Sequence, residues 1–161
     1  MSTVITGHTD HAGAVLGVHG GDGVMHWVRV ATGAHLHGDW DGIEWVAFEP
    51  GGRAGMHTHS HTEEIWFFLR GTGVIELDGV RHEVSPGSIV LTPLHSRHAA
   101  WNTGEGRLEY VVIEVFPPEI SGKLPPRRPT EEDDSTTGAS HADADADDVA
   151  VIADADKGAR S

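Results

Sequence analysis

The sequence predicts an all-β domain built as an antiparallel sandwich or barrel. Short apolar or alternating runs, which are typical of strands, recur between Val24 and Phe116. Turn-forming sequences separate these runs, and Asp78-Gly79 is typical of a two-residue hairpin. No part of this region has the 3.6-residue apolar period of an amphipathic helix. Many short strands joined by tight turns favour a sandwich or a barrel over a helical fold.

Six runs are the clearest strand candidates. Each combines β-branched or aromatic residues with flanking glycine, proline, asparagine or aspartate. They cover residues 24–30, 42–48, 65–69, 73–77, 88–92 and 108–116.

Composition divides the chain into three parts. Residues 1–23 are rich in Gly, Thr and His, with one short apolar run at 15–18, and are predicted to form a flexible arm able to supply one edge strand. Residues 24–118 form the predicted barrel. Residues 119–161 are first proline-rich and then acidic, with an Ala/Asp repeat, and are predicted to be a disordered tail because they cannot bury enough apolar surface to order themselves.

Charge and cysteine content exclude several classes of protein. The formal net charge is −14, but residues 130–161 carry 10 acidic and 2 basic side chains, so most of it lies on the tail. Neither part has a basic patch, which excludes a nucleic-acid partner. The absence of cysteine excludes disulfides and thiolate nucleophiles. No long apolar run is present, so we expect a cytoplasmic protein that does not enter a membrane.

One segment has the residue types of a metal site. On an extended strand, His57 and His59 would point to the same face, and Glu64 returns just beyond a short turn. Imidazole nitrogens with one carboxylate suit a first-row transition metal better than calcium or magnesium. A further ligand must come from elsewhere, and His98 is the main candidate.

The spacing of these residues matches two linked motifs. The first reads Gly51, five residues, His57, one residue, His59, four residues, Glu64, six residues, Gly71. The second reads Gly87, five residues, Pro93, then His98, three residues and Asn102, and 15 residues separate the two motifs. Over about residues 24–118 the chain therefore resembles a single-domain protein of the cupin superfamily, a monocupin. One departure is His95, which lies where the second motif usually has glycine.

The resemblance implies a small antiparallel β-barrel, or jelly roll, whose interior holds one divalent transition-metal ion (Fe, Zn, Mn or Ni). The implied ligands are His57, His59, Glu64 and His98. Such a set leaves up to two positions of an octahedral ion open for water, dioxygen or substrate.

Strand alternation assigns the neighbouring residues. Glu64 would share the inner face with Trp66 and Phe68, while Glu63 would point outward. On the strand of the second motif, Ala100 and Asn102 share the face of His98, and Asn102 can bond to the backbone of the turn. The predicted substrate pocket thus comprises Trp66, Phe68, His95, Ala100 and Asn102.

Several other polar residues have two interpretations. Tyr110, the one tyrosine, could donate a proton beside Glu64 or pack in the barrel. His61 falls in the expected turn and is interpreted as a rim residue. His35 and His37 repeat the His-x-His spacing but lack a following carboxylate, so they are interpreted as loop residues. Positive groups expected near the pocket rim are Arg53, Arg81 and Arg97.

Two functions follow from this sequence. The first is a metal-dependent enzyme acting on a small organic metabolite of specialised metabolism. It would be a dioxygenase or a Lewis-acid isomerase, cyclase or lyase, and a zinc-dependent rearrangement or N–N bond formation belongs to the non-redox branch. The second is a non-catalytic small-molecule-binding protein. By the same resemblance we expect a homodimer, with the N-terminal strand pairing across the interface.

Overall fold

The computed structural model describes residues 7–125 and a short strand near the C-terminus. These residues form eleven strands and one short helix. The strands are β1 (Gly13–Leu16), β2 (Val24–Thr32), β3 (Trp40–Phe48), β4 (Arg53–His57), β5 (Glu63–Arg70), β6 (Gly73–Leu77), β7 (Val80–Val84), β8 (Ile89–Thr92), β9 (His98–Asn102), β10 (Leu108–Val115) and β11 (Ala150–Val151). The helix α1 (Pro118–Ser121) follows β10, and three 3₁₀ turns lie at Thr9–His11, Val18–Gly20 and Gly33–His35.

The strands form two antiparallel sheets. The larger has the order β11-β1-β2-β3-β10-β5-β8, and the smaller has the order β4-β9-β6-β7. Apolar side chains from both sheets meet in one core, which includes Phe48, Phe68 and Tyr110 of the larger sheet and Ile75 and Ala100 of the smaller. This is the predicted all-β barrel or jelly roll, and the prediction of fold class is confirmed.

Strand alternation is clearest in β5. Glu64, Trp66 and Phe68 are buried, whereas Phe67 and Leu69 are each more than 40% exposed. The buried side chains face the interior between the sheets, so alternation in this strand places a carboxylate inside the barrel beside two aromatic rings.

The structure adds strands that the apolar pattern does not show. β7 pairs with β6 through the Asp78-Gly79 hairpin, but four of its five residues are exposed. β4 contains two exposed residues, one of them Arg53, and pairs with β9. In both cases the pairing with a neighbouring strand determines the strand, because neither has a continuous apolar face.

The N-terminal segment joins the barrel. β1 pairs with β2 of the same chain, with Val15 opposite Met25. The 3₁₀ turn Val18–Gly20 follows and packs against β4. The residues predicted to form a loose arm therefore contribute a strand and a turn to their own domain.

Most of the predicted acidic tail lies outside the described residues. Of residues 126–161, only β11 is described, and it pairs with β1. Within the described part of the chain, no helix is long and apolar enough to cross a membrane.

Candidate metal centre

Three histidines from three segments meet inside the barrel. His57 ends β4, His98 begins β9, and the two are directly paired across these strands. His59 lies in the loop after β4, so it reaches the site through a bend of the chain and not along the strand. One ring nitrogen of each histidine lies within 4.8 Å of the others. This separation allows the three imidazoles to bind one ion.

Glu64 extends from β5 into the same cluster. Its side chain is 6% exposed, with Oε1 at 3.3 Å from His59 Nε2 and Oε2 at 3.1 Å from His98 Nε2. Thr92 Oγ1 and Trp66 Nε1 donate hydrogen bonds to Oε2, at 2.7 and 3.1 Å. These two donors hold the carboxylate in place, and the larger sheet thereby supplies the fourth member of the predicted ligand set.

Backbone carbonyls orient two of the rings. Nδ1 of His57 donates to the Gly55 carbonyl at 2.9 Å, and Nδ1 of His98 donates to the Ser96 carbonyl at 3.2 Å. A neutral imidazole that carries its proton on Nδ1 has a lone pair on Nε2. Both rings therefore leave Nε2 as an acceptor, as histidines that bind metals do, and Nε2 of His98 faces Glu64.

The electrostatics of the cluster favour a neutral His57 and an ionised Glu64. Burial, reinforced by the neighbouring His98 and His19, lowers the pKa of His57 to about 3. Burial opposes ionisation of Glu64, but the close contacts of its oxygens with His59 and His98 outweigh burial and hold the pKa of Glu64 well below its usual range. Burial also opposes protonation of His59, yet its contact with Glu64 raises its pKa.

The donor set fits a transition-metal ion, and the contact between His98 and Glu64 shows this most directly. His98 Nε2 is buried and has no hydrogen-bond partner, although Glu64 Oε2 lies 3.1 Å away. With the ring proton on Nδ1, two acceptor atoms face each other in a buried site, which is unfavourable. A cation between them removes the conflict, and imidazole with carboxylate suits Fe, Zn, Mn or Ni.

The sequence did not indicate His19, which also reaches this cluster. Its ring stacks on His57 with centroids 3.7 Å apart and planes 13° apart, and it meets His59 edge-on at 6.5 Å. Burial, followed by the nearby His59 and His98, lowers its pKa to about 4. No periodic signal marks His19, because it lies in a turn of left-handed backbone.

A second polar cluster lines the inner face of the larger sheet next to the metal centre. Glu114 lies directly across from Glu64 on the adjacent strand and accepts a hydrogen bond from Arg29 at 2.7 Å. The Arg29 guanidinium also pairs with Glu44 at 2.9 Å and Asp41 at 3.2 Å. We call Arg29, Asp41, Glu44 and Glu114 the Arg29 cluster. Counting alternate residues along β2 and β3 would have assigned Arg29 and Glu44 to one face.

In the Arg29 cluster, three carboxyl groups surround one guanidinium. Burial and the charges of Glu44 and Glu64 raise the pKa of Glu114 to about 8, although Arg29 opposes the shift. Burial disfavours the charge on Arg29. The pKa of Arg29 is nevertheless raised, because the attraction of Glu44, Glu114 and Asp41 outweighs the effect of burial. The barrel interior beside the metal centre is thus polar and rich in negative charge.

The predicted aromatic wall lies on the inner face of β5 and β10. The Trp66 ring stacks on Tyr110 with centroids 4.9 Å apart and meets His98 edge-on at 5.7 Å. Phe68 is fully buried and packs against Tyr110, one step deeper into the core. Burial, with the charges of Glu64 and Glu44, raises the pKa of Tyr110 well above its usual value, so Tyr110 stays neutral. Its position favours packing over proton transfer.

The residues of the second motif have mainly structural contacts. Asn102 donates hydrogen bonds to the carbonyls of Phe48 and Gly106 at 2.9 and 2.8 Å, so its amide ties the turn and is not presented to a substrate. Ala100 is buried in the core. His95 adopts φ of 66°, the left-handed conformation that glycine favours, and its side chain is exposed outside the cavity. Its backbone N–H donates to the carbonyl of His59 at 3.0 Å, which ties the two motifs together.

The remaining candidates lie away from the centre. His61 is exposed and contacts Ser60, while His35 bonds the backbone of Thr32. Arg53 pairs with Asp22 and Arg81 pairs with Glu76. The side chain of Arg97 is exposed, and its backbone N–H donates to Asp78 Oδ1 at 2.8 Å. Among the described residues, the guanidinium that bonds a carboxylate next to Glu64 is that of Arg29, and not one of the three arginines expected from the sequence.

A β-barrel that surrounds three histidines and a glutamate is an arrangement that could hold a metal ion, and the comparisons agree with a family of such barrels. Residues 44–114 match the family model of the cupin domain. Auxin-binding protein T85 of Nicotiana tabacum is 33% identical over 112 residues, which cover 62% of this chain and 58% of that protein. The oxalate-binding protein of Thermotoga maritima is 24% identical over 99 residues, covering 62% of this chain and 82% of that protein.

A solved structure agrees with this fold. A crystal structure described as a predicted oxalate decarboxylase of Thermotoga maritima has a TM-score of 0.66 and 21% identity, covering 71% of this chain and 100% of that one. Residues 44–114 thus match the cupin domain, and the resemblance found in the two motifs is confirmed. The chain spans little more than half the length of the tobacco protein.

Proposed function

We propose that this protein is a metal-dependent enzyme acting on a small organic metabolite. In this proposal His57, His59, Glu64 and His98 hold one divalent transition-metal ion. The observation that carries it is the buried His98 Nε2, which has no hydrogen-bond partner although Glu64 Oε2 lies 3.1 Å away. Burial of both side chains is consistent with an ion that is shielded from bulk water.

The proposed reaction is an oxygenation, with non-redox isomerisation, cyclisation or elimination as the alternative. A bound ion would supply open coordination positions for substrate and either dioxygen activation or Lewis-acid polarisation. The chain supplies the remaining functions. Thr92 and Trp66 fix the Glu64 carboxylate, and the carbonyls of Gly55 and Ser96 fix the rings of His57 and His98. A zinc-dependent rearrangement or N–N bond formation in specialised metabolism would use the same ligand set.

The interior beside the centre favours some substrates over others. The stacked rings of Trp66 and Tyr110 offer an apolar surface, whereas the Arg29 cluster brings three carboxyl groups and one guanidinium. A dianion such as oxalate would meet negative potential on this side. We therefore propose a substrate that is neutral or carries a cationic group and has some apolar surface, and we do not extend the ligand of the oxalate-binding relative to this chain.

A non-catalytic binding protein is the second candidate. Two relatives bear the names auxin-binding and oxalate-binding protein, which favours ligand binding as a function of this fold without turnover. In that case the same residues would hold an ion and a ligand, but no product would form.

The metal content of the purified protein tests the first proposal. Untagged wild type should carry about one equivalent of a transition metal, and His57→Ala should lose it because one imidazole is removed from the cluster. His82→Ala removes an exposed histidine of β7 and should keep the metal. Absence of metal from wild type, even after reconstitution with each candidate ion, would show that the centre does not bind metal.

The identity of the ion then selects the reaction to assay. Iron would support oxygenation, to be followed with an oxygen electrode and candidate substrates of the class described above. Zinc would support the non-redox branch, to be followed by product analysis without oxygen. Saturable ligand binding without any product in either assay would favour the binding protein.

A further inference from the structure

His19 is in face-to-face contact with a residue of the metal centre. The separation of 3.7 Å between the His19 and His57 ring centroids is van der Waals contact, and the planes are nearly parallel. A second contact holds the His57 ring: the Gly55 carbonyl accepts a hydrogen bond from His57 Nδ1 at 2.9 Å. The His57 ring is therefore held along its edge by one contact and across its face by the other.

The turn that carries His19 is fixed to β4, the strand that carries His57. Asp22 and Arg53 exchange two backbone hydrogen bonds, at 3.2 and 2.8 Å, and their side chains form an ion pair. Gly55 has no room for a side chain, because a Cβ there would overlap the carbonyl oxygen of His19. This close backbone approach is possible only with glycine at that position, and it brings the two rings into register.

The backbone of His19 is strained. Its φ of 51° lies in the left-handed region, which is uncommon for residues other than glycine. Glycine at this position would relieve a cost on the order of 1 kcal/mol. Because Gly17 and Gly20 on either side also have positive φ, the turn itself requires left-handed backbone, and an imidazole at its centre is retained at a cost in stability.

The stacking geometry distinguishes His19 from the ligands. The lone pairs of an imidazole lie in the plane of its ring, and the two ring planes are nearly parallel and 3.7 Å apart at their centroids, so a His19 nitrogen does not converge with His57 Nε2 on one point. Consistent with this, the nitrogens within 4.8 Å of one another are those of His57, His59 and His98. His19 stacks on His57, meets His59 edge-on and closes one side of the cluster.

We propose that His19 is a positioning residue of the metal centre, holding the His57 imidazole in its binding orientation from the N-terminal turn. The N-terminal segment is then a part of the site and not only an edge of the sheet. This inference rests on the proposed metal-binding function. The inference predicts that a planar ring at position 19 is needed to orient the His57 ring, and that the nitrogens of the His19 ring are not needed for this.

Two variants separate the ring from its nitrogens. His19→Ala removes the stack, and His19→Phe keeps a planar ring without a donor or acceptor. Both variants place a residue with a Cβ on the same left-handed backbone, so their backbone strain is similar. A difference in metal affinity or in the His57 ring shifts between them is therefore due to the aromatic ring. His82→Ala, on the exposed side of β7, is the control for loss of one histidine. Two readouts are used: the dissociation constant for Co²⁺ by chelator competition, and nitrogen-15 NMR of the His57 ring in metal-free protein.

In wild type and His19→Phe, we expect the His57 nitrogen shifts of one Nδ1–H tautomer and the same Co²⁺ affinity within about threefold. In His19→Ala, the shifts should average toward a mixture of tautomers and ring orientations, and affinity should fall by about tenfold or more, as for lost orienting contacts in other metal sites. Equal tautomer shifts and equal affinities in wild type and His19→Ala would overturn the inference.

Two further outcomes have distinct meanings. If His19→Phe loses as much affinity as His19→Ala while its His57 shifts stay like those of wild type, His19 is a ligand and not a positioning residue. If wild type does not bind Co²⁺ at all, the metal-binding proposal fails. The NMR comparison in the metal-free protein then still decides whether His19 holds the His57 ring.

Discussion

At the scale of single residues, two carboxyl groups on neighbouring strands have opposite protonation behaviour. Glu64 and Glu114 are directly paired between β5 and β10, and both are buried. Glu64 meets imidazoles that hold its pKa below the usual range. Glu114 meets Glu44 and Glu64 and shares one guanidinium with two other carboxylates, and burial together with these charges raises its pKa to about 8. The partners of each group, and not its depth alone, determine which one ionises.

Glu114→Gln should therefore stabilise the protein at high pH. The folded-state pKa of Glu114 lies above its unfolded value of 4.5, so its protonated form stabilises the folded state below pH 4.5. That stability is lost as the pH rises toward about 8. Glutamine stays neutral, so the free energy of unfolding of the variant should exceed that of wild type by on the order of 2 kcal/mol at pH 9, with little difference at pH 4.5.

Urea unfolding at the two pH values measures this difference. Glu105→Gln, in an exposed loop, reports the effect of removing one negative charge from the chain. A gain for Glu114→Gln that is equal at both pH values, or a loss at high pH, would show that Glu114 is ionised and stabilising in the folded protein.

At the scale of elements, turns with positive φ join the strands, and they differ in what surrounds them. Gly71, in the β5–β6 connection, has φ of 78°, and a Cβ there would overlap the carbonyl oxygen of Arg107. Gly79, in the β6–β7 hairpin, has φ of 84° and open space around it. The first glycine is required by both conformation and close packing, the second by conformation alone.

Alanine at these two positions separates the two requirements. Gly79→Ala should cost about 1 kcal/mol, because only the left-handed backbone is strained. Gly71→Ala should cost about 3 kcal/mol or more, since the Arg107 backbone beside β10 must also move. Thermal and urea unfolding of both variants measure these losses of stability. Equal destabilisation would show that the Arg107 backbone can move away from the added Cβ without a measurable loss of stability.

At the scale of the whole molecule, the larger sheet exposes an apolar outer surface. Alternation in β5 turns Ile65, Phe67 and Leu69 outward, and Ile89 and Leu91 of β8 lie beside them. These five residues, the apolar outer face, are 36% to 64% exposed. β8 is also the last strand of its sheet, and an exposed apolar edge of this kind is typical of a surface that pairs with another chain.

We propose that the expected homodimer forms through the apolar outer face. Size-exclusion chromatography with light scattering should give a dimer mass for wild type at micromolar concentration and a monomer mass for Phe67→Glu, because a charge would be buried in the interface. Val80→Glu, an exposed apolar residue of the smaller sheet, should remain dimeric. A monomeric wild type, or a dimeric Phe67→Glu, would contradict this arrangement.

Much of the fold and of the candidate site was accessible from the sequence. The β5 alternation predicts which of Glu63 and Glu64 is buried, and the spacing of the two motifs predicts that His57, His59 and His98 lie together. The first prediction depends on the local period of two. The second depends on the resemblance to the two cupin motifs, because His98 lies 41 positions after His57. The strands β4 and β7 were not apparent, because their exposed side chains lack an apolar pattern.

The fold class followed from the sequence alone, because the period of two is a local property of each strand. The resemblance of two sequence motifs to cupins then implied the family and placed the three histidines with Glu64. Tertiary structure alone decided what surrounds them. His19 stacks on His57 across 38 positions of sequence, and Arg29 bonds Glu114 across 85. Such contacts arise when separate segments of the chain pack together, and no short-range pattern of the sequence encodes them. The residues that orient the His57 ring and that place charged groups beside the site are therefore identified only in the folded barrel.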